Sequence, residues 1–217
     1  MRFAFFFTAV PSTNTLRNMT RLWRVVLGLS LLPVLAASHQ NEPDPRVQEL
    51  MRSLDLKPLP KESGYLGLIG QSVQTIPNGK RSLSIQSQVY YMLTRSKPIN
   101  YLHWLAPDDT HILIEGGPVD YFIFCPERRA WKVTLGPDVA HGERGLVAIP
   151  GGCWKALKLH PNAKYALMAN VLTPEFTSDR VRIGAGPHWI QRFAGSAPWA
   201  TRDFLRELIG PNWVPAD

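Results

Sequence analysis

The chain has 217 residues, which sets one domain or at most two small ones, because a single hydrophobic core usually serves about 100 to 200 residues. Hydrophobic residues at 45% and charged residues at 19% exclude a wholly disordered chain, a collagen and a coiled coil, and no apolar run comfortably spans a membrane. The formal charge of +7 invites a nucleic-acid reading, but residues 1 to 40 hold four Arg and no acid, while the other 177 residues hold 20 Lys and Arg against 17 acids. The excess therefore belongs mostly to the N-terminus, and no nucleic-acid partner is expected.

That N-terminus has the three-part order of a secretory signal peptide: a short basic stretch at Met19 to Arg24, an uncharged apolar run at Val25 to Ala37, and small residues at Ala36, Ala37 and Ser38. An uncleaved interfacial anchor and an Arg-rich transit segment are the alternatives. We expect a leader over residues 1–38 and a secreted or secretory-lumen protein with no stable membrane span. Gln40 to Pro45 reads as an exposed linker, and residues 39–53 as that linker plus a short helix, with apolar residues at 47, 50, 51 and 54.

From about Gly64 the pattern changes to short runs rich in branched and aromatic residues. Strands are expected near Tyr65 to Ile69, Ser84 to Thr94, Asn100 to Leu105, His111 to Glu115, Val119 to Cys125, Ala130 to Leu135, Gly145 to Ile149, Trp154 to Lys158 and Tyr165 to Leu172. Turn residues separate them, including Pro77-Asn78-Gly79, Pro107-Asp108-Asp109 and Pro150-Gly151-Gly152. Nine strands at this spacing predict an antiparallel sandwich or barrel. Thr201 N-caps a helix over Arg202 to Ile209, within a Trp-rich tail spanning residues 181–217. Cys125 and Cys153 lie in no CxxC motif; in a secreted chain they could pair, and we expect two free, buried thiols.

Asn100 to Pro118 (NYLHWLAPDDTHILIEGGP), Leu135-Gly136 and Val147 to Ala156 (VAIPGGCWKA) together resemble the two signature segments of the cupin superfamily. More narrowly, the chain is similar to a small single-domain cupin branch of unknown function. In that branch an HPEGGY-like segment precedes the barrel, a His-Arg pair and an Asp-Glu-x-Trp-His run form the first motif, and a Val-Pro-x-Gly-x-Trp run forms the second. The corresponding stretches here are Leu59 to Tyr65, His103-Trp104, Asp108 to Ile112 and Ile149 to Trp154. The resemblance implies an all-β fold over about residues 54–180: an antiparallel cupin-type β-barrel, or double-stranded β-helix, with short flanking helices. It also makes a homodimer the default assembly.

Metal-binding cupins carry His-x-His-x(3,4)-Glu and a later His, a donor set that suits iron or manganese. Those positions read here as His103, Leu105, Asp109 and Lys155. Leu105 cannot coordinate, and an inward Lys155 would place a positive charge where a cation should sit. His111 shares parity with Asp109 and could replace one ligand, but from the same side of the barrel. We therefore expect no metal and no cofactor. The expected catalytic pair is His103 as general acid or base with Asp109 as its orienting carboxylate. Glu62, Tyr65, Tyr101, His111 and Trp154 are expected to shape a small-molecule pocket, Trp154 as a flat apolar wall. Tyr90 and Tyr91 alternate faces, so one of them points inward.

The leading expectation is a small-molecule-binding cupin that acts as a metal-independent isomerase, cyclase or dehydratase in a biosynthetic pathway. A non-catalytic ligand-binding or dimerising module is the main alternative, and a metal-dependent oxygenase a weaker one.

Overall fold

The structure is a computed structural model that describes residues 42–216. The leader expected over residues 1–38 lies outside the described residues. The exposed linker expected up to Pro45 is corrected at Glu42, which is buried and accepts hydrogen bonds from the Tyr65 hydroxyl at 2.6 Å and the Thr94 hydroxyl at 2.7 Å. A buried carboxylate needs such donors. Asp44 then N-caps helix α1 (Pro45–Ser53), its side chain accepting from the backbone N–H groups of Arg46 and Val47. Val47, Leu50 and Met51 form the buried stripe of that helix.

Thirteen strands follow among the described residues: β1 (Lys57–Pro58), β2 (Tyr65–Gln71), β3 (Thr75–Asn78), β4 (Arg81–Ser84), β5 (Ser87–Thr94), β6 (Ile99–Leu105), β7 (Asp108–Gly116), β8 (Val119–Cys125), β9 (Arg129–Leu135), β10 (Leu146–Ile149), β11 (Trp154–Leu159), β12 (Tyr165–Thr173) and β13 (Val181–Ile183). Two short helices, α2 (Pro187–Phe193) and α3 (Arg202–Ile209), close the chain. The strands form two antiparallel sheets, ordered β1-β2-β5-β12-β7-β10 and β13-β6-β11-β8-β9, plus the β3-β4 ribbon.

Two differences from the expected elements have local causes. The run expected from Ser84 to Thr94 divides because the chain changes partner: Ser84 pairs with Thr75 in the ribbon, whereas Ser87 pairs with Gln71 of β2. Strand β7 begins at Asp108 rather than His111, so the two aspartates expected in a turn enter the sheet, with Asp109 opposite both Ile149 and Leu172.

The two sheets share an inner core, and helices cover part of each outer face, while Ile112, Ile114 and Leu146 leave the outer side of β7 and β10 exposed. Tyr91, Leu93 and Met168 of the six-stranded sheet meet Tyr121, Ile123 and Leu157 of the other in a shared core. Outside the five-stranded sheet, Phe122 and Phe124 pack under α2 and α3 with Trp189, Phe193 and Leu205. Outside the six-stranded sheet, α1 covers Tyr65, Met92 and Leu167. Burying each large apolar side chain contributes roughly 1.5–3 kcal/mol.

Cys125 and Cys153 are not free thiols. They form a disulfide with a Cα–Cα distance of 4.3 Å. The pairing of Trp154 with Phe124 on adjacent antiparallel strands sets the two cysteines opposite each other, a proximity that two residues 28 apart do not reveal.

Candidate active site

A cavity of about 510 Å³ opens between the sheets. Its floor gathers Glu62, Tyr91, Asn100, His103, Asp109, His111, Lys155 and Asn170, and its walls are mostly apolar, with Leu66, Leu68, Val89, Leu172 and Phe176 beside the polar Gln71, Ser87 and Gln88. An apolar body with a few convergent polar groups is the usual make-up of a small-molecule site.

Glu62 reaches this floor through a strained loop. Lys61, Ser63 and Gly64 have φ of 61°, 71° and 78°, and the left-handed region costs a non-glycine residue roughly 1–2 kcal/mol. The loop is pinned from the barrel: Tyr101 N–H and the Asn100 amide both donate to the Glu62 carbonyl, at 2.8 and 3.2 Å. Tyr91 is the inward member of its pair, and its hydroxyl donates to the Ser63 carbonyl at 2.9 Å. A Cβ on Gly64 would lie 2.4 Å from that hydroxyl, so this position requires glycine on two counts.

His103 is buried, and its Nδ1–H donates to the Tyr101 carbonyl at 2.9 Å. The neutral ring therefore carries its lone pair on Nε2, which faces the Glu62 carboxylate across 3.7 Å. Burial lowers the His103 pKa to about 4, against the opposing pull of Glu62, so the imidazole is a neutral base at pH 7.

Asp109 serves different partners from the one expected. It accepts from His111 Nε2 at 2.8 Å and is ion-paired with the buried Lys155 ammonium. The Tyr121 hydroxyl meets His111 Nδ1 at 2.8 Å, completing a chain from Tyr121 through His111 and Asp109 to Lys155. His103 is oriented instead by Tyr101's backbone and by Glu62. Burial lowers His111 to about 3 and Lys155 to about 7, Glu62 opposing in both cases, and it pushes the Tyr91 and Tyr121 hydroxyls well above the ordinary phenol value.

Three expected pocket residues lie elsewhere. Tyr65 pairs with Met92 and faces α1, its hydroxyl on Glu42. Trp154 points outward and packs edge-on against Trp189 at 6.1 Å, because its neighbour Lys155 points inward. Tyr101 is displaced by a bulge: Lys155 pairs with His103 but Leu157 pairs with Asn100, so strand β6 carries one extra residue there. The bulge turns Asn100 into the cavity and lays the Tyr101 ring against Gly210, where a Cβ would come within 2.2 Å of it. Asn100, Tyr121 and Asn170 were not anticipated. Only Asn170 had a sequence signal, as a lone polar residue in the apolar run of β12.

The chain matches a family model described as "Cupin superfamily (DUF985)" over residues 48–183. The chain belongs to the cupin superfamily. An uncharacterized protein of Saccharomyces cerevisiae, YML079W, is 26% identical over 178 residues, covering 76% of this cupin and 88% of the yeast protein. Among solved structures, protein SO0799 from Shewanella oneidensis aligns with a TM-score of 0.59 at 20% identity, over 77% of this chain and 96% of that one. A hypothetical protein from Leishmania major aligns at 0.58 and 23% identity, over 64% and 86%. Both likenesses show the fold. Within it, this cupin's donor set does not suit a cation: Lys155 already holds Asp109, Leu105 is inert, and both ring nitrogens of His111 are engaged. Among the described residues no three His, Cys, Asp or Glu converge as a metal site, and no helix is long and apolar enough to cross a membrane.

Proposed function

We propose that this cupin binds a small organic molecule in its cavity and moves a proton on it without a metal, the chemistry of an isomerase, a cyclase or a dehydratase. The observation that carries this reading is the buried, neutral His103 Nε2 facing Glu62 across 3.7 Å at the floor of an apolar cavity. Two proton-accepting groups lie side by side there, and Lys155, the one Lys or Arg among the described cavity residues, supplies positive charge against an anion developing on the ligand. His103 acts as the base, and Glu62 relays the proton. Untargeted metabolite comparison tests this. Cells lacking the protein and cells carrying only His103→Ala should accumulate the same intermediate relative to wild type, and identical profiles in all three would refute the catalytic reading.

A second reading, a dimerising module, is favoured by one observation: Leu68 and Ile69 of β2, Val73 of the bend that follows it and Ile76 of the adjoining ribbon are exposed. The occupant proposed for that patch is a second copy of the chain. Sedimentation should show a dimer that Leu68→Lys with Val73→Lys dissociates, and a monomeric wild type would end this reading.

We also propose an oxidising location. The Cys125–Cys153 disulfide supports it, as does the signal-like order of residues 19–38. N-terminal sequencing of secreted protein should find cleavage close to Ser38, and an intact N-terminus would refute it.

A further inference from the structure

We propose that Lys155 is a nucleophile that captures a carbonyl ligand as a Schiff base, so that the substrate class is small aldehydes and ketones with an apolar body. The inference rests on the proton-transfer reading above and deepens it. A base of ordinary strength removes a proton from carbon only where the resulting electron pair has somewhere to go. With the donor set unsuited to a metal, the cavity needs another electron sink, and an iminium on Lys155 is one.

The geometry suits each step. Lys155 lies at the cavity floor with 2% of its surface exposed, and its ammonium is in contact with Asp109 Oδ2. Asp109 is held in place by His111, which Tyr121 orients in turn. Its second oxygen, Oδ1, is buried with no hydrogen-bond partner among the described residues, leaving the carboxylate able to take a proton. The ammonium passes a proton to Asp109, and the neutral Nζ forms a bond to the carbonyl carbon while the C=O π pair moves to oxygen. A proton shifts from nitrogen to that oxygen, giving the carbinolamine. Asp109 then returns its proton to the hydroxyl, which leaves as water as the C=N bond forms. The products are a protonated iminium paired with the Asp109 carboxylate and one water, with no oxidant or reductant consumed. His103, the direct cross-strand partner of Lys155, and Glu62 beside it are placed to take the proton from the carbon next to the iminium. The apolar walls limit access of the water that would hydrolyse it.

Reductive trapping tests this directly. The folded protein is incubated at pH 7.5 with hexanal and sodium cyanoborohydride, and alkylated lysines are located by peptide mass spectrometry. Lys155 should be alkylated more than about tenfold faster than Lys80, and faster than it is itself in urea-unfolded chain. The adduct at this position should vanish in Lys155→Arg and in the paired variant Asp109→Leu with Lys155→Met, whose folding is checked by circular dichroism. His103→Ala should still form the adduct. Labelling confined to surface lysines, or Lys155 labelled only in urea, would overturn the proposal. If deuterium exchange into a ligand remained dependent on His103 without any Lys155 adduct, the Schiff base would fall and the proton-transfer reading would stand. An adduct without that exchange would do the reverse.

Discussion

Strand β11 presents two chemistries one residue apart. Trp154 faces outward into an aromatic layer with Phe124, Trp189 and Phe193, while Lys155 faces inward and meets Asp109 in the cavity floor. Strand β8 divides the same way, with Phe122 and Phe124 outward and Tyr121 inward on His111. The outer face is held by shape and apolar area, which tolerate modest change. The inner face shares an apolar core, but at the cavity floor it is held by charge and hydrogen-bond pairing in a desolvated site, where a missing partner is expensive. The same backbone thus carries a forgiving layer and an unforgiving one.

The sharpest way to break this contrast is at Asp109. Asp109→Leu leaves Lys155 buried without its partner and should cost about 3 to 5 kcal/mol in urea unfolding, whereas adding Lys155→Met should restore most of that loss. A loss under about 1 kcal/mol from the single change would deny that the pair is coupled. Acid should act on the same face. His103 and His111 are held neutral by burial, to about 4 and about 3 against an ordinary 6.5. Below pH 6.5 the unfolded chain therefore binds protons that the folded chain refuses. Stability should fall as pH drops from 6.5 toward 4, by up to the order of 3 kcal/mol for each histidine, and a flat urea midpoint across that window would contradict their burial.

On the outer face the effects should be smaller and should spare the cavity. Phe124→Leu should cost about 1 to 2 kcal/mol and leave hexanal trapping at Lys155 unchanged; altered trapping would mean the two faces are coupled. Smaller still, Thr201→Ala removes the hydroxyl that accepts from Phe204 N–H at the start of α3 and should lower stability by about 1 kcal/mol, read as a shift in thermal midpoint.

What the sequence could reveal follows the same division. Parity on regular strands brings His103, Asp109 and His111 into one cavity, and the short loop before β2 adds Glu62. Parity also makes an inward Lys155 incompatible with an inward Trp154, since neighbours on a strand face opposite ways. The bulge that exchanges Tyr101 for Asn100 has no sequence marker, because it arises from the pairing of β6 with β11, strands about fifty residues apart. Tyr121 was hidden for a different reason. Strand β8 is apolar on both faces, so its periodicity does not say which side meets the cavity. The disulfide likewise depends on a strand pairing that no local pattern encodes.

The proposed transfer of a proton by His103 on a small organic ligand, without a metal, can be measured. The most direct measurement incubates chelator-treated protein with a metabolite extract in deuterium oxide and searches by mass spectrometry for a compound that gains deuterium. Such a compound should appear with the wild-type protein, and none with His103→Ala or with Glu62→Gln. Exchange that survives in His103→Ala, or that appears only after transition-metal ions are restored, would contradict it.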